Sequence, residues 1–309
     1  MSYRLTTHET LGAGIRRIAR EQLEAALCKI GNPSRGKEIE AIHDLRRHIK
    51  KTRALLRLVR GEIGKQVYAR ENGQLREVAR EFSNLRDAGV RLQVIERFRH
   101  VVGEENAFSV TADALERELV ALVDEFPAQQ EEAVGALQRI SDRVEGWPVE
   151  NLEIDDLCSA LKDAYQRARK CFRCVCSKPT AENFHSWRKR TKDLWYQARI
   201  LEKLNEPVLC AMADAGRRLG QYLGELHDLA FFRVWLRTVD QAPEAERTVL
   251  LGLLCERERE LERIALDLGT RFFAEKPRTF ERRVRRYARD WPTNQAFERG
   301  AEGGAQSGG

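Results

Sequence analysis

Two short segments of the chain gather the side chains best suited to hold phosphate. In the first, His43, Arg46, Arg47, Lys50 and Arg57 recur at i, i+3, i+4, i+7 and i+14; in the second, His185, Arg188, Lys189, Lys192, Tyr196 and Arg199 follow a similar rhythm. On a helix, such spacings fall along one side. Arg presents planar, bidentate donors to phosphate oxygens, Lys a mobile point charge, and His a charge that a nearby polyanion favours by raising its pKa from about 6.5. The chemistry on offer is anion binding that weakens as salt rises, because bound counterions are released when the ligand docks.

Such stripes work against the helices that carry them. Like charges at i, i+4 repel by a few tenths of a kcal/mol per pair, and almost no Glu is interleaved to neutralise them. A single basic stripe is adequately explained as a solvated face. Two in register are not, and His185 follows His43 by 142 positions, as Arg188 follows Arg46 and Lys192 follows Lys50. Further along, Leu226-His227-Asp228 echoes Leu85-Arg86-Asp87, and Arg217 echoes Arg76, both 141 positions on. The sequence therefore reads as an internal duplication jointed near Gly146 to Glu150.

Neighbouring segments extend the candidate surface. Asn72, Arg76, Arg80, Ser83 and Asp87 form a polar stripe opposite Leu75, Val78, Ala79, Phe82 and Leu85, as expected of one continuous helix. Arg16 and Arg20 on the first helix, and Tyr165 and Arg169 on the first helix of the second half, repeat the i, i+4 spacing. Asp87 and Asp228 are odd members of a cationic surface, and we expect them to orient Arg or His side chains rather than touch an anion.

The elements that position these residues are helices throughout. Apolar residues recur at helical spacing almost everywhere; on the two basic helices the packing sides are Ile42, Leu45, Ile49, Leu56 and Val59, and Phe184, Trp187, Thr191, Leu194 and Leu201. Breakers fall at Gly31 to Pro33, Gly61 to Gly64, Gly103 to Asn106, Pro127, Gly146 to Pro148, Pro179, Pro207, Pro243 and Pro277, which predicts ten to twelve helices joined by short connections. We expect an all-α fold with halves at 1–148 and 149–291, followed by a disordered tail over 292–309. Charged residues reach 33% of the 309, but a net charge of +6 over 54 basic and 48 acidic groups says little until it is clustered. The first thirty residues hold no signal-like apolar run, and nowhere do eighteen apolar residues stand together, so the expected setting is soluble and cytoplasmic. Seven cysteines without a framework spacing fit reduced thiols.

These residues together resemble the conserved histidine α-helical domain, or CHAD, family. The stretches that carry the resemblance are Ile42-His43-Asp44-Leu45-Arg46 through Leu58, Asn72 to Asp87, Phe184-His185-Ser186-Trp187-Arg188-Lys189-Arg190 through Leu201, and Leu226-His227-Asp228, within a span from about residue 10 to residue 291. The resemblance implies two pseudo-symmetric four-helix bundles around a basic central channel that binds inorganic polyphosphate, without catalysis, metal or cofactor. It also makes polyphosphate granules a candidate destination. Two positions depart from the internal repeat: His48 stands where the second copy has Arg190, and Arg53 where it has Trp195.

Three other readings compete. Nucleic acid would satisfy the same Arg and Lys stripes through its backbone, yet few exposed aromatic residues accompany them for base stacking. A metal-dependent phosphohydrolase could start from His43-Asp44 and His227-Asp228, but needs several convergent carboxylate and His ligands, and Ser186 replaces Asp44 in the second copy. Cys171-x-x-Cys174-x-Cys176 lacks the second cluster that structural zinc requires, so these cysteines are expected to be small buried side chains.

Overall fold

In a computed structural model, described for residues 3–34, 36–239 and 242–292, eleven α-helices account for most of the described residues, and no strand occurs among them. They are α1 (Leu11–Gly31), α2 (Glu38–Leu58), α3 (Arg60–Glu81), α4 (Ser83–Val102), α5 (Ser109–Val123), α6 (Phe126–Arg143), α7 (Ile154–Ser177), α8 (Ala181–Ile200), α9 (Glu206–Thr238), α10 (Glu244–Phe272) and α11 (Pro277–Tyr287). The count agrees with the expected ten to twelve. The tail beyond residue 292 lies outside the described residues.

Local chemistry sets several helix ends. Thr10 and Thr180 accept hydrogen bonds from the backbone N–H three residues on, starting α1 and α8. Asn205 does the same for α9 with Pro207 in its first turn, and Glu153 and Asp156 form a reciprocal capping box at α7. Gly103, at φ 77°, ends α4 in the left-handed conformation that glycine adopts without a Cβ clash.

One boundary differs from expectation. The Asn72 to Asp87 stripe is not one helix, because α3 ends at Glu81 and α4 begins at Ser83. No Gly or Pro marks the break. It sits at Phe82, a fully buried ring 5.8 Å from Phe126, while Ser83 donates its hydroxyl to the Arg80 carbonyl at 2.7 Å. A large side chain anchored in the core and a hydroxyl competing for a helical carbonyl together interrupt the ladder. The cysteine expectation is also corrected: Cys174 and Cys176 are exposed and Cys171 is half-buried, since α7 buries Leu157, Cys158, Leu161, Ala164, Tyr165, Ala168 and Val175 instead.

Helices α1, α2, α3 and α6 pack in a ring, and α7 packs on α8, α8 on α9, α9 on α10 and α11 on α7. Every residue expected on the packing sides of α2 and α8 is buried. Trp147, Val149 and Leu152 are buried in the connection between the two groups, tying them to one core. The groups then meet where α2 packs on α8 and α4 on α9, with buried Gln197 donating to the Ala54 carbonyl at 3.1 Å. Among the described residues, no helix is long and apolar enough to cross a membrane.

Candidate anion-binding cleft

The contact of α2 with α8 and of α4 with α9 leaves a cleft of about 880 Å³ between the two groups. Helix α2 contributes His43, Arg46, Arg47 and Lys50; α8 contributes Arg188, Lys192, Trp195 and Tyr196. From α4 come Arg86 and Arg97 with Glu96, and from α9 Arg217 with Glu225 and Asp228. Eight Lys and Arg side chains thus face three carboxylates. The imbalance survives inspection of the pairs. Asp228 accepts from Arg86 at 3.0 Å, Arg86 also donates to Asp87 at 2.8 Å, and Glu225 is taken by Arg257 at 2.8 Å.

Four cations at the centre have no such partner. Among the described residues, no carboxylate lies at ion-pair distance from Arg46, Lys50, Arg188 or Lys192. The Nε atoms of Arg46 and Arg188 are buried without a hydrogen-bond acceptor, although Arg46 also donates through Nη1 to the Ala79 carbonyl. Burial, reinforced by Arg188, lowers the Lys192 pKa to about 8; burial followed by Lys192, Arg188 and Arg46 holds Lys50 well below its ordinary value. Burial likewise lowers Arg46 and Arg188. The fold has concentrated positive charge where water screens it poorly, and left it short of counter-charge.

A glycine stripe on α9 faces the basic side of α8. A Cβ on Gly220 would lie 3.6 Å from Lys192 Cγ, and one on Gly224 would lie 3.6 Å from Arg188 Nε. Gly216, one turn earlier, faces Trp195. The long cationic stems of Lys192 and Arg188 thus run past the backbone of α9 with their heads in the cleft.

The remaining predicted site residues divide. His185 and His227 stand together on α8 and α9, Nδ1 to Nδ1 at 3.2 Å, and burial next to Arg188 pushes His227 down to about 4. Tyr196 is buried, and Arg217 lines the cleft between Asp214 and Gln221, each at 3.4 Å. Arg57 does not reach the cleft but pairs with half-buried Asp193 at 3.1 Å. Arg16 donates to the Trp147 carbonyl at 2.7 Å and Arg20 pairs with Glu145 at 3.3 Å, securing α1 to the connection. Arg169 donates to the Phe273 carbonyl at 2.9 Å, and the Arg199 guanidinium lies 5.8 Å from the Tyr3 ring centre. Arg76, Arg80 and Lys189 are exposed and do not line the cleft. Of the two departures from the repeat, His48 is buried against Gln22 at 3.0 Å, and Arg53 donates to Asn72 at 3.0 Å.

Sequence reasoning left out Arg86, Arg97, Trp195 and the glycine stripe. Arg86 sits inside the Leu85-Arg86-Asp87 echo, and Gly216, Gly220 and Gly224 recur every fourth residue, so both signals were present.

The sequence profile of the CHAD domain matches residues 17–237, which spans all four helices that line the cleft. The chain belongs to the CHAD domain family. The crystal structure of the CHAD domain from the plant Ricinus communis is similar in fold, with a TM-score of 0.60 over 88% of this chain and 94% of that one, at 17% identity. No curated protein matches the sequence. Beyond the profile, α10 and α11 complete the second helical group of this CHAD protein.

Proposed function

We propose that the cleft binds inorganic polyphosphate and does so without catalysis. One observation carries this reading: Arg46 and Lys50 from α2 converge with Arg188 and Lys192 from α8, half-buried and without carboxylates of their own. A phosphate chain would supply the missing negative charge from both sides at once. Membership of the CHAD family supports the same ligand.

The reading includes an internal duplication, with halves at 1–148 and 149–291. The constant offset supports it, as does the meeting of equivalent helices α2 and α8 across the cleft. It also includes a cytoplasmic setting in contact with polyphosphate granules. Binding rather than hydrolysis is favoured because the relevant carboxylates are occupied: Asp44 lies within 3.2 Å of Arg47, and Asp228 within 3.0 Å of Arg86. Among the described residues, the only three-membered group able to hold a metal, Glu202, Glu206 and Cys210, includes neither His-Asp pair. Two of its members are themselves paired, Glu202 with Arg4 and Glu206 with Lys203.

Calorimetric titration at fixed salt with orthophosphate, tripolyphosphate and long-chain polyphosphate tests the proposal. Affinity should rise steeply with chain length. Equal affinity per site for orthophosphate and long chains would point to a small-anion pocket. Single-stranded nucleic acid binding as tightly as polyphosphate at equal phosphate would favour the backbone-binding alternative.

A further inference from the structure

Helix α11 lies outside the cleft and beyond the residues matched by the family profile, yet it carries the densest run of arginine in the chain. Its inner side is firmly seated. Phe280 and Val284 are buried, and the Phe280 ring stacks on Tyr165 with centres 4.4 Å apart. Two of its arginines serve that seating, Arg283 with Glu275 at 2.7 Å and Arg285 with Ser159 at 2.7 Å.

The others serve nothing within the fold. Arg278, Arg282, Arg286 and Arg289 are exposed, as are Lys276 just before the helix and Arg173 on α7. Among the described residues, none of the six has a carboxylate at ion-pair distance. Three adjoining hollows of about 650, 530 and 570 Å³ run along this strip, sharing Arg169 and Arg173 between the first two and Arg278 between the first and third. The only carboxylate in their walls is Glu281.

Helix electrostatics do not account for the arrangement. Cations at the C-terminal end of a helix are favoured by its dipole, which suits Arg286. Lys276 and Arg278 occupy the opposite end, where the dipole disfavours them and where α11 has no acidic residue in its first turn. Arg278 with Arg282, and Arg282 with Arg286, add i, i+4 repulsion. An external polyanion reverses the sign of all these contributions.

We propose that the outer surface of α7 and α11 is a second docking site for polyphosphate, engaged by long chains in addition to the cleft. The ligand class rests on the reading of the cleft, and the strip itself favours bare phosphate over nucleic acid. Its aromatic rings are committed to packing: Phe273 and Phe280 are buried, and Arg283 lies over the Tyr287 ring at 5.8 Å. What remains is positive charge with no platform for a base. Two sites on one chain raise the avidity for any polymer long enough to reach both.

The test compares the full chain with a surface variant carrying Arg278→Gln, Arg282→Gln, Arg286→Gln and Arg289→Gln, and with a cleft variant carrying Lys50→Gln and Lys192→Gln. Long-chain polyphosphate, tripolyphosphate and single-stranded DNA are titrated over a range of salt, with thermal melts as a fold control and the pair Arg282→Gln and Arg286→Gln in reserve if the fourfold change unfolds α11. The surface variant should bind long chains more weakly, with its salt slope reduced by about 3 for four lost contacts, and bind tripolyphosphate as before. Unchanged long-chain affinity and slope would overturn the proposal, and DNA losing as much affinity as polyphosphate would overturn the choice of occupant. Should the cleft variant bind like the parent while the surface variant does not, the cleft reading fails and the surface site stands.

Discussion

Arg86 of α4 donates to Asp228 of α9 at 3.0 Å while its other terminal nitrogen donates to Asp87 at 2.8 Å. One guanidinium is therefore clamped by the two carboxylates that the sequence placed 141 positions apart, and it joins the two helical groups across the cleft. Burial opposes its charge, but Asp228 and Asp87 more than compensate and hold its pKa above the ordinary value. Replacing Asp228 with Asn should cost about 1 to 2 kcal/mol of stability, since a charged hydrogen bond is lost while Asp87 remains. Polyphosphate affinity should hold or rise, because a negative charge leaves the cleft. Chemical denaturation and calorimetry on the same variant check both parts; weaker binding at unchanged stability would mean that Asp228 positions Arg86 for the ligand rather than only tying the helices together.

Removing the four central cations separates folding from binding. Changing Arg46, Lys50, Arg188 and Lys192 to Gln should abolish tight polyanion binding and leave the melting temperature equal or higher, because Gln keeps helix propensity and ends like-charge repulsion in the cleft. A gain of about 1 kcal/mol would raise the midpoint by roughly 2 °C. A large fall in the melting temperature would mean that the four residues anchor the fold.

Alkaline pH acts on the same lysines in two opposite directions. With the folded Lys192 pKa near 8 against 10.5 unfolded, the unfolded chain binds more protons between those values. Stability of the free protein should accordingly rise with pH from about 8 towards 10.5, and Lys50 contributes in the same sense. Affinity for polyphosphate should fall over that range as the lysines lose charge. Lys192→Arg should flatten both profiles; if neither changes, Lys192 is not titrating in the cleft.

The histidine pair acts on the acid side, as does His48, which burial also pushes down to about 4. His227, held near 4 by burial and by Arg188, must take up a proton on unfolding once pH drops below about 6.5, so its contribution to stability is lost between 6.5 and 4. Burial lowers His185 as well. Relative to the parent, His227→Gln should lose less stability between pH 6.5 and 4, measured by denaturation at stepped pH. Saturating polyphosphate should shift the His227 proton resonances to a higher pKa; an unshifted titration would put the ligand away from the pair.

Much of this fold was legible because its helices end where glycine and proline punctuate the chain and because two basic stripes keep register. Arg46, Lys50, Arg188 and Lys192 were recognisable for that reason. Arg57, Arg169 and Arg16 looked equivalent to them, but their partners lie 136, 104 and 131 positions away, at Asp193, Phe273 and Trp147. Helical spacing reports which side a residue occupies, not which distant carboxylate or carbonyl meets it. The break at Phe82 was hidden for a related reason: a core ring stops that helix, with no local punctuation.

That break gives the two walls of the cleft different mechanics. Helix α9 runs unbroken for 33 residues, about 50 Å, and carries Gly216 to Asp228 on a single rod. The stretch 141 positions earlier is carried by two shorter rods, α3 and α4, meeting at a joint one turn before Arg86. Bending the long rod means stretching hydrogen bonds within a continuous ladder, whereas the joint has already given up that continuity. A thicker guest should therefore be met by a shift of α4 rather than of α9, within the limit that the Arg86–Asp228 pair sets.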